Sequence, residues 1–80
     1  MKISYGPGKE IDLQVGNLVK FIPVSGGVYI GVFIGTSKGE WPHNIEKMSL
    51  LVDGILKDIP CNMVFMMRVL NETRRSNTIL

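Results

Sequence analysis

Two short apolar runs, residues 48–52 and 55–59, flank the dipeptide Asp53-Gly54. Asp-Gly is a preferred pair for the two central residues of a type I′ turn, because both positions of that turn need a positive φ. The segment therefore predicts a tight antiparallel hairpin in which Val52 pairs with Ile55. This is the strongest local signal in the chain, and it indicates a β fold.

The same register makes both faces of the hairpin apolar. When Val52 lies opposite Ile55, Leu51 lies opposite Leu56 on the other face. A small domain has one interior, so the second apolar face lies either under another segment of the chain or at an interface. Both explanations stay open at this stage.

Three other runs have the length and composition of strands, namely residues 18–22, 28–34 and 64–70. Pro23 closes the first run because proline cannot donate a hydrogen bond to a ladder. Residues 60–63 favour one turn of 3₁₀ helix before the last strand. Methionine and leucine are also good helix formers, so a short helix over 62–70 is the alternative for that segment.

The run 28–34 is apolar on both sides. One set, Val28, Ile30, Val32 and Ile34, alternates with a second set, which is Tyr29, Gly31, Phe33 and Gly35. Gly31 weakens a strand unless the sheet bends sharply or another backbone passes close by. We therefore expect Gly31 to mark such a point.

One domain accommodates all of these strands, since the chain has 80 residues. Residues 1–16, rich in glycine, are predicted to form an N-terminal arm or edge strand. Residues 36–46 form a loop that holds Trp41 and His43. The fold class is mainly all-β, with the sheet over residues 17–70 and a basic C-terminal tail over 71–80.

The segments VGNLVKF (15–21), YIGVFIG (29–35), LVDG (51–54) and IP (59–60) resemble small SH3-like or KOW-like β-barrel proteins. Many such proteins are encoded by bacteriophages. Two strands, a longer loop, a tight hairpin, a proline-led turn and a final strand follow the layout of that family. The resemblance covers residues 13–70 and implies a five-stranded SH3-like barrel. It carries no functional residues over to this chain.

The chain has few side chains of the kinds that carry out catalysis, which argues against an enzyme. Cys61 and His43 are the single cysteine and the single histidine, so the chain has no internal disulfide and too few soft ligands for zinc. A structural thiol and a surface-loop histidine are the preferred readings of these two residues. We predict no enzyme activity, no metal and no cofactor. With no secretion signal and no long apolar run, we expect an intracellular protein, in host cytoplasm or a virion, without a membrane partner.

Charge is concentrated at the C-terminal end. Residues 1–67 sum to zero, and the net charge of +2 arises from Arg68, Arg74 and Arg75 against Glu72. Three arginines give a weak electrostatic footprint for nucleic acid. A tail that docks on a neighbouring subunit explains them equally well.

The residues predict a module that binds protein, as an oligomer or as an accessory protein of a phage assembly. The expected partner contacts are Tyr29, Phe33, Trp41, Arg74 and Arg75. Trp41 has two readings, a contact residue or a cap on one end of the barrel. The alternatives are a nucleic-acid-binding barrel and an oligomer that sequesters a nucleotide-like ligand against host defence, with Trp41, His43 and Arg68 as the contacts.

Overall fold

The fold is mainly β. The computed structural model describes residues 1–38 and 45–71. Their strands are β1 (Lys2–Tyr5), β2 (Lys9–Asp12), β3 (Leu18–Pro23), β4 (Tyr29–Lys38), β5 (Glu46–Val52), β6 (Ile55–Pro60) and β7 (Val64–Val69). A 3₁₀ helix, Cys61–Met63, joins β6 to β7 as the sequence predicted. The helix considered for residues 62–70 is wrong, because β7 occupies most of that segment.

Five strands form one antiparallel sheet in the order β6-β5-β4-β3-β7, and β1 pairs with β2 in a separate hairpin. β4 connects the two parts of the larger sheet. Its residues 29–32 pair with β3 and its residues 32–38 pair with β5, so Val32 has a partner on both sides. No ladder joins β6 to β7 within the described residues, and there the sheet is not a closed barrel.

The predicted turn between β5 and β6 is confirmed. Asp53 has a φ of 53° and Gly54 a φ of 77°, the sign that a type I′ turn requires at both positions. Val52 pairs with Ile55 and Leu51 with Leu56, in the register expected from the sequence. This hairpin forms the β6 end of the sheet.

The first 16 residues form a hairpin that packs into the core. Ile3, Tyr5 and Leu13 are buried, and the Gly6 amide donates a hydrogen bond to the Cys61 carbonyl oxygen at 3.2 Å. The sequence predicted an arm or a single edge strand here, and it missed β1. Glycine is required at position 6, because its φ is +54° and a Cβ there would lie 2.9 Å from the Val64 carbonyl oxygen.

The larger sheet has an inner face, which packs against the N-terminal hairpin, and an outer face. Its inner residues include the largest buried side chains, Phe21, Phe33, Met48 and Leu50. In β4 the aromatic side faces inward and the aliphatic side faces outward. Among the described residues, no helix has the length and apolar character needed to cross a membrane.

Candidate interaction surface

A row of four aliphatic side chains crosses the outer face. Leu18 on β3 pairs with Val32 on β4, Val32 pairs with Leu51 on β5, and Leu51 pairs with Leu56 on β6. Leu51 and Leu56 are exposed, while Leu18 and Val32 are half-buried. We call Leu18, Val32, Leu51 and Leu56 the outer row. Adjacent strands are about 4.8 Å apart, so the row spans roughly 14 Å.

Two isoleucines of β4 extend the outer row along the strand direction. Ile30 is 50% exposed and Ile34 is 41% exposed. Ile34 lies at the irregularity between Phe33 and Gly35, where the register of β4 against β5 shifts. Isolated apolar side chains are normal on a protein surface, whereas a contiguous apolar patch is a candidate interaction surface. The outer row and its two flanking isoleucines form such a patch.

The β3–β7 end of the outer face is basic. Lys20 pairs with Arg68 in direct cross-strand register, and both side chains are exposed. Like charges directly opposite each other destabilise a sheet. Ile22 and Met66 lie beside the pair, and together they line a shallow depression of about 90 Å³. An external anion would relieve the repulsion between Lys20 and Arg68.

The β5–β6 end of the outer face carries an acid. Asp58 accepts a hydrogen bond from the Ser49 hydroxyl, with Oγ 2.6 Å from Oδ1, and the two residues are cross-strand partners. This hydrogen bond fixes the carboxylate next to Leu56. Lys47 faces the same side, opposite Pro60 and farther from the outer row.

A groove of about 330 Å³ opens on the other side of the sheet. Tyr29 forms one wall and stacks on Phe21, with ring centroids 5.5 Å apart. Pro23, Ile59, Pro60 and Met63 line the rest, with Lys57 at the rim. Tyr29 is exposed, and it lies at this groove and not on the outer face.

No protein-family model matches the chain. Comparisons with curated proteins and with solved structures likewise found no match.

The structure separates the residues that were predicted as contacts. Tyr29 lines the groove, Arg68 lies at the basic end of the outer face, and Phe33 is 0% exposed in the core. A fully buried ring has no surface to offer a partner, so Phe33 is not part of the candidate surface. The remaining predicted contacts, Trp41, His43, Arg74 and Arg75, lie outside the described residues.

The sequence did not predict that the outer row and the Lys20–Arg68 pair lie together on one face. The hairpin register predicted Leu51 opposite Leu56, but the extension to Val32 and Leu18 needs the pairing of four strands. The signal in the sequence was the aliphatic set of residues 28–34, which could have been assigned to the surface once Phe33 was assigned to the core.

Cys61 is buried at the start of the 3₁₀ helix. Burial, with a smaller contribution from the charge of Glu46, raises the pKa of its thiol from 9.0 to about 11. A protonated thiol is a poor nucleophile. Across residues 1–38 and 45–71, no three His, Cys, Asp or Glu side chains come close enough to hold a metal ion.

We expect Cys61 to make stability fall at alkaline pH. The thiol is protonated in both states below pH 9, and between pH 9 and about 11 it ionises in the unfolded chain first. Unfolding then releases a proton, so the free energy of unfolding falls by up to roughly 2–3 kcal/mol across that window. Urea titrations of the wild type and Cys61→Ala at pH 8, 9.5 and 11 measure the difference in slope. Parallel curves for the two proteins would contradict this assignment.

Proposed function

We propose that this chain is a non-enzymatic domain with an SH3-like fold that binds protein through its outer face. It serves as an oligomeric or accessory protein in a larger assembly. The outer row carries the proposal, because it gathers aliphatic side chains from four strands into one exposed patch. A bacteriophage origin is part of the proposal and rests on the resemblance of residues 13–70 alone.

The order of the elements supports the SH3-like assignment. β3 and β4 come first, the β5–β6 hairpin follows, and a proline-led 3₁₀ helix leads into β7, which returns to pair with β3. The separate β1–β2 hairpin covers the inner face and supplies three core side chains. The hairpin covers part of the inner face, where the groove beside Tyr29 stays open, and within the described residues the outer face is uncovered.

Protein is favoured over nucleic acid because of what surrounds the basic pair. The patch beside Lys20 and Arg68 is aliphatic, and the exposed ring nearest in sequence to Arg68 is Phe65, which is engaged by Lys9 at 4.7 Å from its centroid. Single-stranded nucleic acid is bound by stacking on exposed aromatic rings along a basic groove. Within the described residues, the outer face offers branched aliphatic side chains where that mode needs rings.

Site-specific photo-crosslinking tests the proposed function. A photoreactive amino acid is placed at Leu56, on the outer face, and in a separate protein at Ile55. These neighbours on β6 have nearly the same exposure, 58% and 60%, but face opposite sides of the sheet. We expect protein adducts from position 56 and few from position 55, when each variant is irradiated in the cell that produces it. Equal labelling at both positions, or adducts that nuclease removes, would contradict protein binding by the outer face.

A further inference from the structure

We infer that the partner on the outer face is a second copy of this chain, related by a two-fold axis that passes close to Val32. The inference rests on the proposed function and names its partner. It is carried by the position of the charges on the outer face relative to the outer row.

The two charged ends lie on opposite sides of the outer row. β3 pairs with the first part of β4 and β5 with the rest, and the two pairings meet at Val32. Lys20 and Arg68 therefore lie beyond the outer row at one end of β4. Asp58 lies beyond it at the other end, opposite Ser49.

In a two-fold symmetric dimer, the basic end of one copy meets the acidic end of the other, and this contact occurs twice. When the two-fold axis lies in the plane of the interface and perpendicular to the line that joins the two ends, the two outer rows cross near Val32. The same operation brings the basic end of each copy over Asp58 of its partner. A symmetric interface of this kind contacts itself with one patch on both copies. The Lys20–Arg68 repulsion of the isolated chain is then relieved by the carboxylate of the second copy.

The free edge of β6 is a less suitable place for self-association. β6 ends the sheet, so its outward backbone groups could pair with another strand. Antiparallel pairing of two copies must keep outer residues opposite outer residues. A pairing centred on Lys57 sets two lysines opposite each other, and one centred on Asp58 sets two aspartates opposite each other. A pairing centred on Leu56 avoids like charges, but it lies near the start of β6 and brings fewer residues of the strand together.

The size of the patch sets the expected affinity. Six partly exposed aliphatic side chains provide a few hundred Å² of apolar surface. A standard stable interface buries roughly 800 Å² on each partner. We therefore expect a reversible dimer with a dissociation constant in the micromolar range, which dilution converts to monomer.

Variants that reverse the charges of the two ends test the inference on the purified full chain. Light scattering from about 1 µM to about 1 mM is expected to show a rise from the chain mass of 8.9 kDa to twice that value. Lys20→Glu and Asp58→Lys are each expected to weaken the dimer about tenfold or more. The double variant K20E/D58K is expected to lose much less affinity than the sum of the two single losses, because the charges at positions 20 and 58 are again opposite while Arg68 is unchanged.

Two comparisons separate loss of the interface from loss of the fold. Lys20→Glu turns the Lys20–Arg68 pair into an attractive one, so the melting temperature of the diluted monomer should stay level or rise while the dimer is lost. Leu56→Gln should weaken the dimer about tenfold, whereas Ile55→Gln, on the other face of β6, should leave it unchanged. A Lys20→Glu protein that dissociates and also melts earlier would contradict the inference.

A chain that stays monomeric up to about 1 mM overturns the inference, and so does a double variant whose loss of affinity equals the sum of the two single losses. Co-purified material that absorbs at 260 nm, lost with Lys20→Glu and retained with Asp58→Lys, would overturn it in favour of an anionic ligand. One further result distinguishes failure of this inference from failure of the proposed function. Adducts from position 56 that contain one copy of the chain and a different protein refute self-association but leave protein binding by the outer face intact.

Discussion

Replacing Phe33 with alanine is expected to remove a large part of the free energy of unfolding of the domain. The ring is 0% exposed, in the part of β4 that pairs with β5. Truncation of a buried phenylalanine costs about 3–5 kcal/mol. A domain of this length has roughly 4–12 kcal/mol of stability in total, and small domains lie toward the low end. Urea titration followed by circular dichroism measures the loss.

Phe65→Ala is the matched control for Phe33→Ala. Phe65 lies on β7 and is 57% exposed, and its ring contacts the Lys9 ammonium at 4.7 Å from the centroid. Loss of that cation–π contact costs about 1 kcal/mol or less at an exposed site. The same substitution should therefore have a several-fold smaller effect at position 65. Equal losses at the two positions would contradict the assignment of Phe33 to the core.

The strand β4 shows where sequence reasoning reached its limit. Alternation separated the residues of 28–34 correctly into an aliphatic and an aromatic set, but period alone does not say which set faces inward when both are apolar. The answer depends on the volume to be filled under the sheet. Phe33 and Phe21 fill it together with the N-terminal hairpin, so the aliphatic residues Ile30 and Ile34 remain on the surface.

Features that depend on local chain geometry were predictable. The Asp53-Gly54 turn fixes the register of β5 against β6, and with it the outward pairing of Leu51 with Leu56. A proline at position 60 fixes the end of β6 and the start of the 3₁₀ helix. In each case the conformation is determined within a few residues, so no long-range contact is needed to infer it.

Features that depend on distant segments were not predictable with the same success. The alternation of Lys2, Ile3, Ser4 and Tyr5 before the turn residues Gly6-Pro7-Gly8 was a signal for β1. It was overlooked because a glycine-rich start indicates a loose segment. The Lys20–Arg68 pair joins strands 48 residues apart in sequence, and only the β3–β7 ladder shows that the two charges are neighbours.

Gly31→Ala is expected to destabilise the domain by about 1–3 kcal/mol, the usual cost of forcing an extra methyl group into a packed site. A Cβ at position 31 would lie 2.8 Å from the Leu51 carbonyl oxygen and 2.7 Å from Cγ2 of Val52. Of the two explanations that the sequence left open for Gly31, a sharp bend of the sheet and a close backbone, the structure shows a close backbone. Leu51 belongs to the ladder with β4, so its carbonyl can move only if β5 moves. Thermal melts of the variant measure the loss.

Gly35→Ala is the matched control on the same strand, because a Cβ at position 35 meets nothing within 4 Å and no positive φ restricts it. Its effect should lie between neutral and a gain of about 1 kcal/mol, since alanine lowers the entropy of the unfolded chain. If both glycines tolerate alanine equally, β5 does not pass close to β4 at Gly31.

The contrast also bears on function, because Gly31 precedes Val32 and a Cβ there would press on the backbone of Leu51, and Val32 and Leu51 are members of the outer row. A displacement of β5 at this point separates the two halves of that row. Gly31→Ala should therefore weaken the dimer as well as the fold, while Gly35→Ala should preserve both.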